Sequence, residues 1–355
     1  MHTLRRIAVA LTLGTGAALL GLGASATAAA GCRIVQLAEM RVDREGNRPV
    51  IDGEINGQKI RVLVDIGSVD SYIAAAAARR LKLRITQYSD SRAYGVGGSS
   101  TVMHAAVKQL KFGAVAMKDQ QLKVLDSKID CEPEDIDFIL GQDFFSKLDS
   151  EFDLANDVIR LLQPEGCQPE QLVYWQKEYS LAELEPINAF DLLIKTIVLV
   201  NGQRVKAALD TGESISHIST QAARSSGVKM GINGASMEPL KGMGNTPILS
   251  EIGNFDTLTI GNETIRNAKI RISDLFGADR VERTGSHIAH PLEGLPEMLI
   301  GDDFFLSHRV VVLPHERKAF FTYNGGPVFQ LHRPDEAAAA PALGEDGAPP
   351  PAGGH

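Results

Sequence analysis

Asn56-Gly57-Gln58-Lys59-Ile60-Arg61-Val62-Leu63-Val64-Asp65-Ile66-Gly67-Ser68 and Asn201-Gly202-Gln203-Arg204-Val205-Lys206-Ala207-Ala208-Leu209-Asp210-Thr211-Gly212-Glu213 are two versions of one pattern. Each delivers an aspartate into an Asp-X-Gly turn. The asparagines and the aspartates keep the same separation (201 − 56 = 145 and 210 − 65 = 145). A repeat that long is a lobe, too large for one unit of a solenoid. Two similar lobes facing across a two-fold axis would bring Asp65 and Asp210 together, and paired carboxylates can activate a water molecule.

Asn56-Gly57 and Asn201-Gly202 are two-residue hairpin signals, since that pair readily adopts positive φ. Arg61-Val62-Leu63-Val64 and Leu122-Lys123-Val124-Leu125 read as short strands, apolar and flanked by turn residues. Each aspartate therefore sits at a strand end, on a rigid element. Few helices are expected: Ala74 to Leu81, its counterpart Thr220 to Gly227, and a helical patch from Glu170 to Glu178.

Two further features recur in order. A glycine-rich tip follows each turn, Tyr94-Gly95-Val96-Gly97-Gly98 in one copy and Gly242-Met243-Gly244 in the other. Then come Ile139-Leu140-Gly141-Gln142-Asp143-Phe144-Phe145 and Leu299-Ile300-Gly301-Asp302-Asp303-Phe304-Phe305. The shared Gly-X-Asp-Phe-Phe ending sets these copies apart from chance Asp-X-Gly turns. Phe144, Phe145, Phe304 and Phe305 read as core, and Asp143 and Asp303 as caps of the helix after each glycine.

Together these motifs resemble the aspartic proteases, both the single-chain pepsin type and the shorter dimeric retroviral type. The likeness covers nearly everything between the N-terminal segment and the C-terminal tail, and the layout is similar to that of bacterial exported retropepsin-like proteins, here fused as two lobes. It implies a mostly β fold of two similar pepsin/retropepsin-like β-barrel lobes related by pseudo-two-fold symmetry, with few short helices. It implies Asp65 and Asp210 as the catalytic pair, supported by Gly67, Ser68, Thr211 and Gly212. Gly141 and Gly301 would end the strand that threads each turn. Tyr94, Gly95, Gly97, Gly242 and Gly244 would belong to flaps over a polypeptide substrate.

Two departures from the family pattern stand out. Ile66 occupies the place of the usual Thr or Ser, whose hydroxyl crosses to the opposite loop; its loss removes one cross-link, at about 1–3 kcal/mol if a buried amide is left unpaired. Ser68 fits the pattern in which that hydroxyl bonds the neighbouring aspartate, but Glu213 replaces it in the second copy. Pointing inward, Glu213 would raise the proton affinity of the pair and favour acidic working conditions; pointing to solvent, it would do nothing.

The chemistry follows from charge. Two carboxylates about 4 Å apart repel by roughly 4 kcal/mol at an effective dielectric of 20. The pair therefore shares a proton, giving one acid and one base. Neither metal, cofactor nor covalent nucleophile is required. Two readings follow: an aspartic endopeptidase, or a weakened peptide-binding or scaffold protein that keeps the fold. His287 and His290 read as loop histidines, not metal ligands.

The remainder of the chain sets the context. Its 355 residues suffice for about two domains, and a formal net charge of −8 argues against general affinity for nucleic acid. Residues 1–30 carry Arg5 and Arg6, an apolar stretch and then small residues, the layout of a secretory signal peptide. That predicts a periplasmic or secreted, monomeric protein with no membrane span after signal removal. Residues 31–167 form the first lobe, 168–187 the connection, 188–331 the second lobe and 332–355 a disordered Ala/Pro/Gly-rich tail. An insert near Phe276 to Pro296 reads as a surface loop. Three cysteines, Cys32, Cys131 and Cys167, permit one internal disulfide. Cys32 is either lipidated, leaving Cys131 and Cys167 to pair, or unlipidated and free or disulfide-bonded.

Overall fold

The computed structural model describes residues 31–45, 48–86, 91–95, 98–126, 135–175, 178–188, 191–229, 238–240, 248–275, 281–283, 289–291 and 294–329. Residues 1–30, residues 330–355 and Cys131 lie outside them. The first copy supplies β1 (Arg33–Arg41), β2 (Asp43–Glu45), β3 (Arg48–Ile55), β4 (Gln58–Val64), β5 (Tyr72–Ala74), α1 (Ala75–Arg80), β6 (Ile85–Thr86), β7 (Arg92–Gly95), β8 (Gly98–Phe112), β9 (Val115–Leu125), β10 (Phe138–Leu140), α2 (Gln142–Phe145), β11 (Asp149–Asp153) and β12 (Val158–Glu165). After β13 (Ser180–Glu183), the second copy supplies β14 (Lys195–Val200), β15 (Gln203–Leu209), β16 (His217–Ser219), α3 (Thr220–Ser225), β17 (Glu238–Leu240), β18 (Ile248–Ile260), β19 (Glu263–Ser273), β20 (Val281–Arg283), β21 (Ala289–Pro291), β22 (Met298–Ile300), α4 (Asp302–Phe305), β23 (His308–Leu313) and β24 (Lys318–Tyr323).

The two copies form the same sheet. Strand order β3-β4-β10-β5-β9-β8 in one matches β14-β15-β22-β16-β19-β18 in the other. Extra pairings β3–β8 and β14–β18 close each sheet on itself, which removes exposed edges. The hairpins entering the aspartates are as expected: Asn56 (φ 51°) and Gly57 (φ 77°) join Ile55 to Gln58, and Asn201 (φ 49°) and Gly202 (φ 81°) join Val200 to Gln203. Both positive φ values match the right-handed strand twist. The asparagine side chains also act at a distance. Asn56 Oδ1 accepts the amides of Lys108 (2.9 Å) and Gln109 (3.1 Å), and Asn201 Oδ1 accepts that of Thr257 (3.1 Å). Each hairpin tip is thereby pinned to the closing strand of its barrel.

A third sheet belongs to both copies. Its order, β1-β12-β11-β23-β24-β13, reads from either edge as the same succession of counterparts, with the two-fold relation at the β11–β23 contact. Phe152 of β11 meets Phe305 of α4 at 5.6 Å between rings, within one continuous apolar core that runs through both copies. The 168–187 connection is thus tied down: β13 pairs with β24 from Ser180↔Phe321 to Glu183↔Lys318. Among the described residues between Glu170 and Glu178, helical structure is limited to a 3₁₀ turn, Pro169–Leu172, because the following Val173 and Trp175 turn onto the shared sheet. Cys32 and Cys167 form a disulfide at the outer end of the β1–β12 pair. The insert carries a short β20–β21 ribbon; His287 and the tips at Gly97, Gly242 and Gly244 fall outside the described residues, as does the side chain of His290.

Under the shared sheet lies an ion cluster that joins the copies. Glu151 of β11 is 0% exposed and accepts from Arg160 of β12, from Arg309 of β23 (2.7 Å) and from the Tyr174 hydroxyl (2.7 Å). The Arg309 guanidinium lies 4.1 Å from the centre of the Trp175 ring, which clamps the connection onto the sheet. Removing one member of a buried ion cluster leaves the others uncompensated. Glu151→Ala is expected to lower unfolding free energy by about 3–5 kcal/mol in chemical denaturation; a loss below about 1 kcal/mol, the range of an exposed pair, would contradict this placement.

Candidate active site

The site is built where two threaded loops meet. In the first copy β10 lies between β4 and β5, parallel to β4 (Leu140↔Val64) and antiparallel to β5. The Asp65 amide donates to Leu140 (3.0 Å), and the Asp210 amide donates to Ile300 (2.9 Å) in the matching place. Gly141 and Gly301 pass so close to the loop that a Cβ would lie 2.5 Å from the Asp70 oxygen or 2.6 Å from the Glu213 oxygen. These glycines are steric requirements of the threading.

Asp65 and Asp210 come together. Their carboxyls lie within hydrogen-bonding reach of one another, and each accepts a loop amide, from Gly67 or Gly212, at 2.9 Å. Each glycine also packs on the opposite acid: a Cβ on Gly212 would stand 2.5 Å from Asp65 Cγ, and one on Gly67 would collide with the Asp210 carboxyl. Burial pushes both carboxyls above their ordinary value. For Asp65 the hydrogen bond with Asp210, the Gly67 amide and the Arg48 charge oppose that rise. For Asp210 the charges of Asp65 and Glu213 add to it, and its carboxyl stands well above the usual range. Two carboxyls in such contact share one proton.

A family model described as aspartyl protease matches the chain twice, over residues 51–144 and 196–304. The chain belongs to the aspartyl protease family. A search of curated proteins gave no match. The two matched segments coincide with the two copies, each holding one aspartate of the pair.

Thr211 makes the crossing that the family pattern implies. Its hydroxyl donates to the Val64 carbonyl (2.7 Å) and accepts from the Ile66 amide (3.2 Å). Ile66, 1% exposed, has no hydroxyl to return those bonds and contributes apolar packing to the shared core instead. Ser68 departs from expectation: its hydroxyl donates to the Asp70 carbonyl (2.8 Å), and only its backbone amide assists Asp65. Tyr94 and Gly95 lie on the β7–β8 pair (Tyr94↔Ser99, Gly95↔Gly98), with Tyr94 40% exposed. The corresponding β17–β18 hairpin pairs Leu240 with Ile248.

Asp143 and Asp303 do not cap the helices; the N-cap positions are Gly141 and Gly301, without a side-chain bond. Their carboxylates accept the hydroxyls of Ser71 (2.5 Å) and Ser216 (2.6 Å), which in turn accept the Gly141 (2.9 Å) and Gly301 (2.8 Å) amides. Ser71 and Ser216 were missed in the sequence, although each stands six residues after its aspartate. Gln142 and Asp302 are a second missed pair. The Gln142 amide group donates to the Ile66 carbonyl (3.0 Å). Asp302, its counterpart, is 0% exposed, and among the described residues neither carboxyl oxygen has a hydrogen-bond partner. Burial, with the charges of Asp210, Asp303 and Asp65, pushes the Asp302 carboxyl well above its ordinary value despite the opposing charge of Arg48.

Glu213 points inward, with 15% of its side chain exposed. Its expected pH consequence has the opposite sign: a neighbour that raises the pair's proton affinity keeps the singly protonated form up to higher pH, so it moves the working range away from acid. Among the described residues no group of three or more His, Cys, Asp or Glu is arranged to hold a metal ion, and no helix is long and apolar enough to cross a membrane.

Two consequences are measurable. Thr211→Val strips the Val64 carbonyl and the Ile66 amide of their cross-loop partner, so unfolding free energy should fall by about 1–3 kcal/mol; an unchanged denaturation midpoint would contradict the bonds' importance. Asp302 binds its proton more tightly folded than unfolded, so it subtracts stability as pH rises from about 4, the unfolded carboxyl value, toward the folded one. Asp302→Asn removes that loss. Its stability advantage should be absent in strong acid and grow toward neutral pH, whereas a pH-independent difference would show that Asp302 ionises normally.

Proposed function

We propose that the chain is an aspartic endopeptidase that hydrolyses peptide bonds with a water activated between Asp65 and Asp210. The observation that carries this reading is the hydrogen-bonding contact between the Asp65 and Asp210 carboxyls where the two loops meet. Asp65, beside Arg48 and two loop amides, serves as the base that takes a proton from the water. Asp210 donates its proton to the peptide carbonyl oxygen as the tetrahedral intermediate forms. The roles reverse as the leaving amine is protonated.

Family membership implies a polypeptide substrate. An extended strand lying between the copies would be covered by the β7–β8 hairpin with Tyr94 and Gly95, and by the β17–β18 hairpin from the other side. Because one chain carries both aspartates, the working unit is a monomer. The Cys32–Cys167 disulfide supports an exported, periplasmic or secreted location, since such bonds persist in oxidising compartments.

Ile66 motivates a second reading, a peptide-binding protein with little turnover, because only one side of the cross-loop grip is present. Turnover assays separate the two. Asp65→Asn and Asp210→Asn should each lower kcat at least about a hundredfold on unfolded polypeptide, and a statine-type transition-state mimic should inhibit the unmodified chain. Undiminished cleavage by either variant would overturn the endopeptidase reading. Peptide binding by the unmodified chain without cleavage, from acid to neutral pH, would favour the second.

A further inference from the structure

The two copies differ in the charges beside their aspartates. In the first, Tyr72 of β5 pairs in register with Lys123 of β9, and the acid that joins them is Asp70, which forms an ion pair with Lys123 and accepts from the Tyr72 hydroxyl at 3.4 Å. In the second, His217 of β16 pairs in the same register with Arg271 of β19. The counterpart of Asp70 is Ile215, so that acid is missing. An acid appears instead two residues earlier, as Glu213 in the place of Ser68. The acid thus stands two residues closer along the chain to its aspartate than Asp70 does to Asp65.

Backbone contacts fix Glu213 there. Its amide lies 3.4 Å from the Asp210 carbonyl, and its own carbonyl accepts the Asp302 amide at 2.8 Å. Its Oε2 lies 4.0 Å from Nε2 of His217, which is 1% exposed. The groups acting on it from the packed elements are Arg48 at the start of β3, Arg271 of β19, His217 of β16 and Asp65 after β4; Asp210 and Asp302 share its loop contacts. Arg48 comes from the first copy, where the second has Leu193 in the corresponding place.

We propose that Glu213 is a third member of the proton-sharing group, a positioning residue that acts through Asp210 and holds the two aspartates in unequal protonation states. The inference rests on the pair described above, and not on whether that pair cleaves peptides. Burial and the Asp65 charge push the Glu213 carboxyl up to about 7, with Arg48 and Arg271 opposing, so it changes charge near neutrality. His217 stays neutral, its proton affinity depressed by burial and by Arg271 and Arg48 to about 3. As Glu213 ionises it raises the affinity of Asp210 for the shared proton. The pair then keeps that proton to higher pH than it would alone.

The test is a carbon-13 carboxyl NMR titration of the full chain labelled at aspartate Cγ, followed in Glu213→Gln, in Glu213→Asp and in Glu213→Ser, the residue of the first copy. In the Gln and Ser variants the midpoint of the pair's upper titration step should fall by about one pH unit, a tenfold loss of proton affinity. The lower step should hardly move, because Glu213 is already protonated there. Glu213→Asp should restore most of the upper step. Superimposable upper steps in all four proteins would overturn the proposal, as would an equal fall in the Asp variant, which would indicate packing alone. A chain whose upper step moves as expected and yet cleaves no peptide would sink the endopeptidase reading and leave this one standing.

Discussion

One hydroxyl ties the two halves of this molecule together at the point that matters. Thr211 reaches from the second loop to the Val64 carbonyl and the Ile66 amide of the first. That crossing fixes how closely the loops approach, and Gly67 and Gly212 allow the approach by offering no Cβ to the opposite carboxyl. Asp65 and Asp210 are consequently held in contact, where both cannot ionise cheaply. The shared six-stranded sheet and the Glu151 cluster supply the rigid base on which the loops are mounted. Without it, a single crossing hydroxyl would not hold two lobes in register.

The copies have diverged in one direction. Where the first has Ile66, Ser68 and Gln142, the second has Thr211, Glu213 and Asp302. At these three places the first copy has only neutral groups, whereas the second has two acids. Arg48, from the first copy, is the charge that acts against this excess at Asp65, Glu213 and Asp302. A symmetric dyad has no reason to place its proton on one side. This uneven setting supplies one.

Much of the fold was legible because its signals are local. Asn-Gly demands a tight hairpin, and Asp-X-Gly after an apolar run demands a strand end with a turn. Their repetition at a constant spacing then implied the two lobes, and the matched Gly-X-Asp-Phe-Phe endings pointed to the threading partner. What stayed hidden depends on contacts between distant segments. An acid after a glycine looks like a helix cap, whereas in the fold Ser71 and Ser216 claim the carboxylates of Asp143 and Asp303. The Cys32–Cys167 pairing follows from β1 lying beside β12, which no spacing announces. The inward turn of Glu213 is likewise a property of the folded loop, and so is the burial of Asp302.

The account stands on a proton held jointly by Asp65 and Asp210. Neutron diffraction from deuterium-exchanged crystals of the full chain would locate it directly. The expected result is a single deuteron between the two carboxyls, nearer Asp210, with a second deuteron on Asp302. Two bare carboxylates, or side chains turned beyond hydrogen-bonding distance of each other, would contradict it.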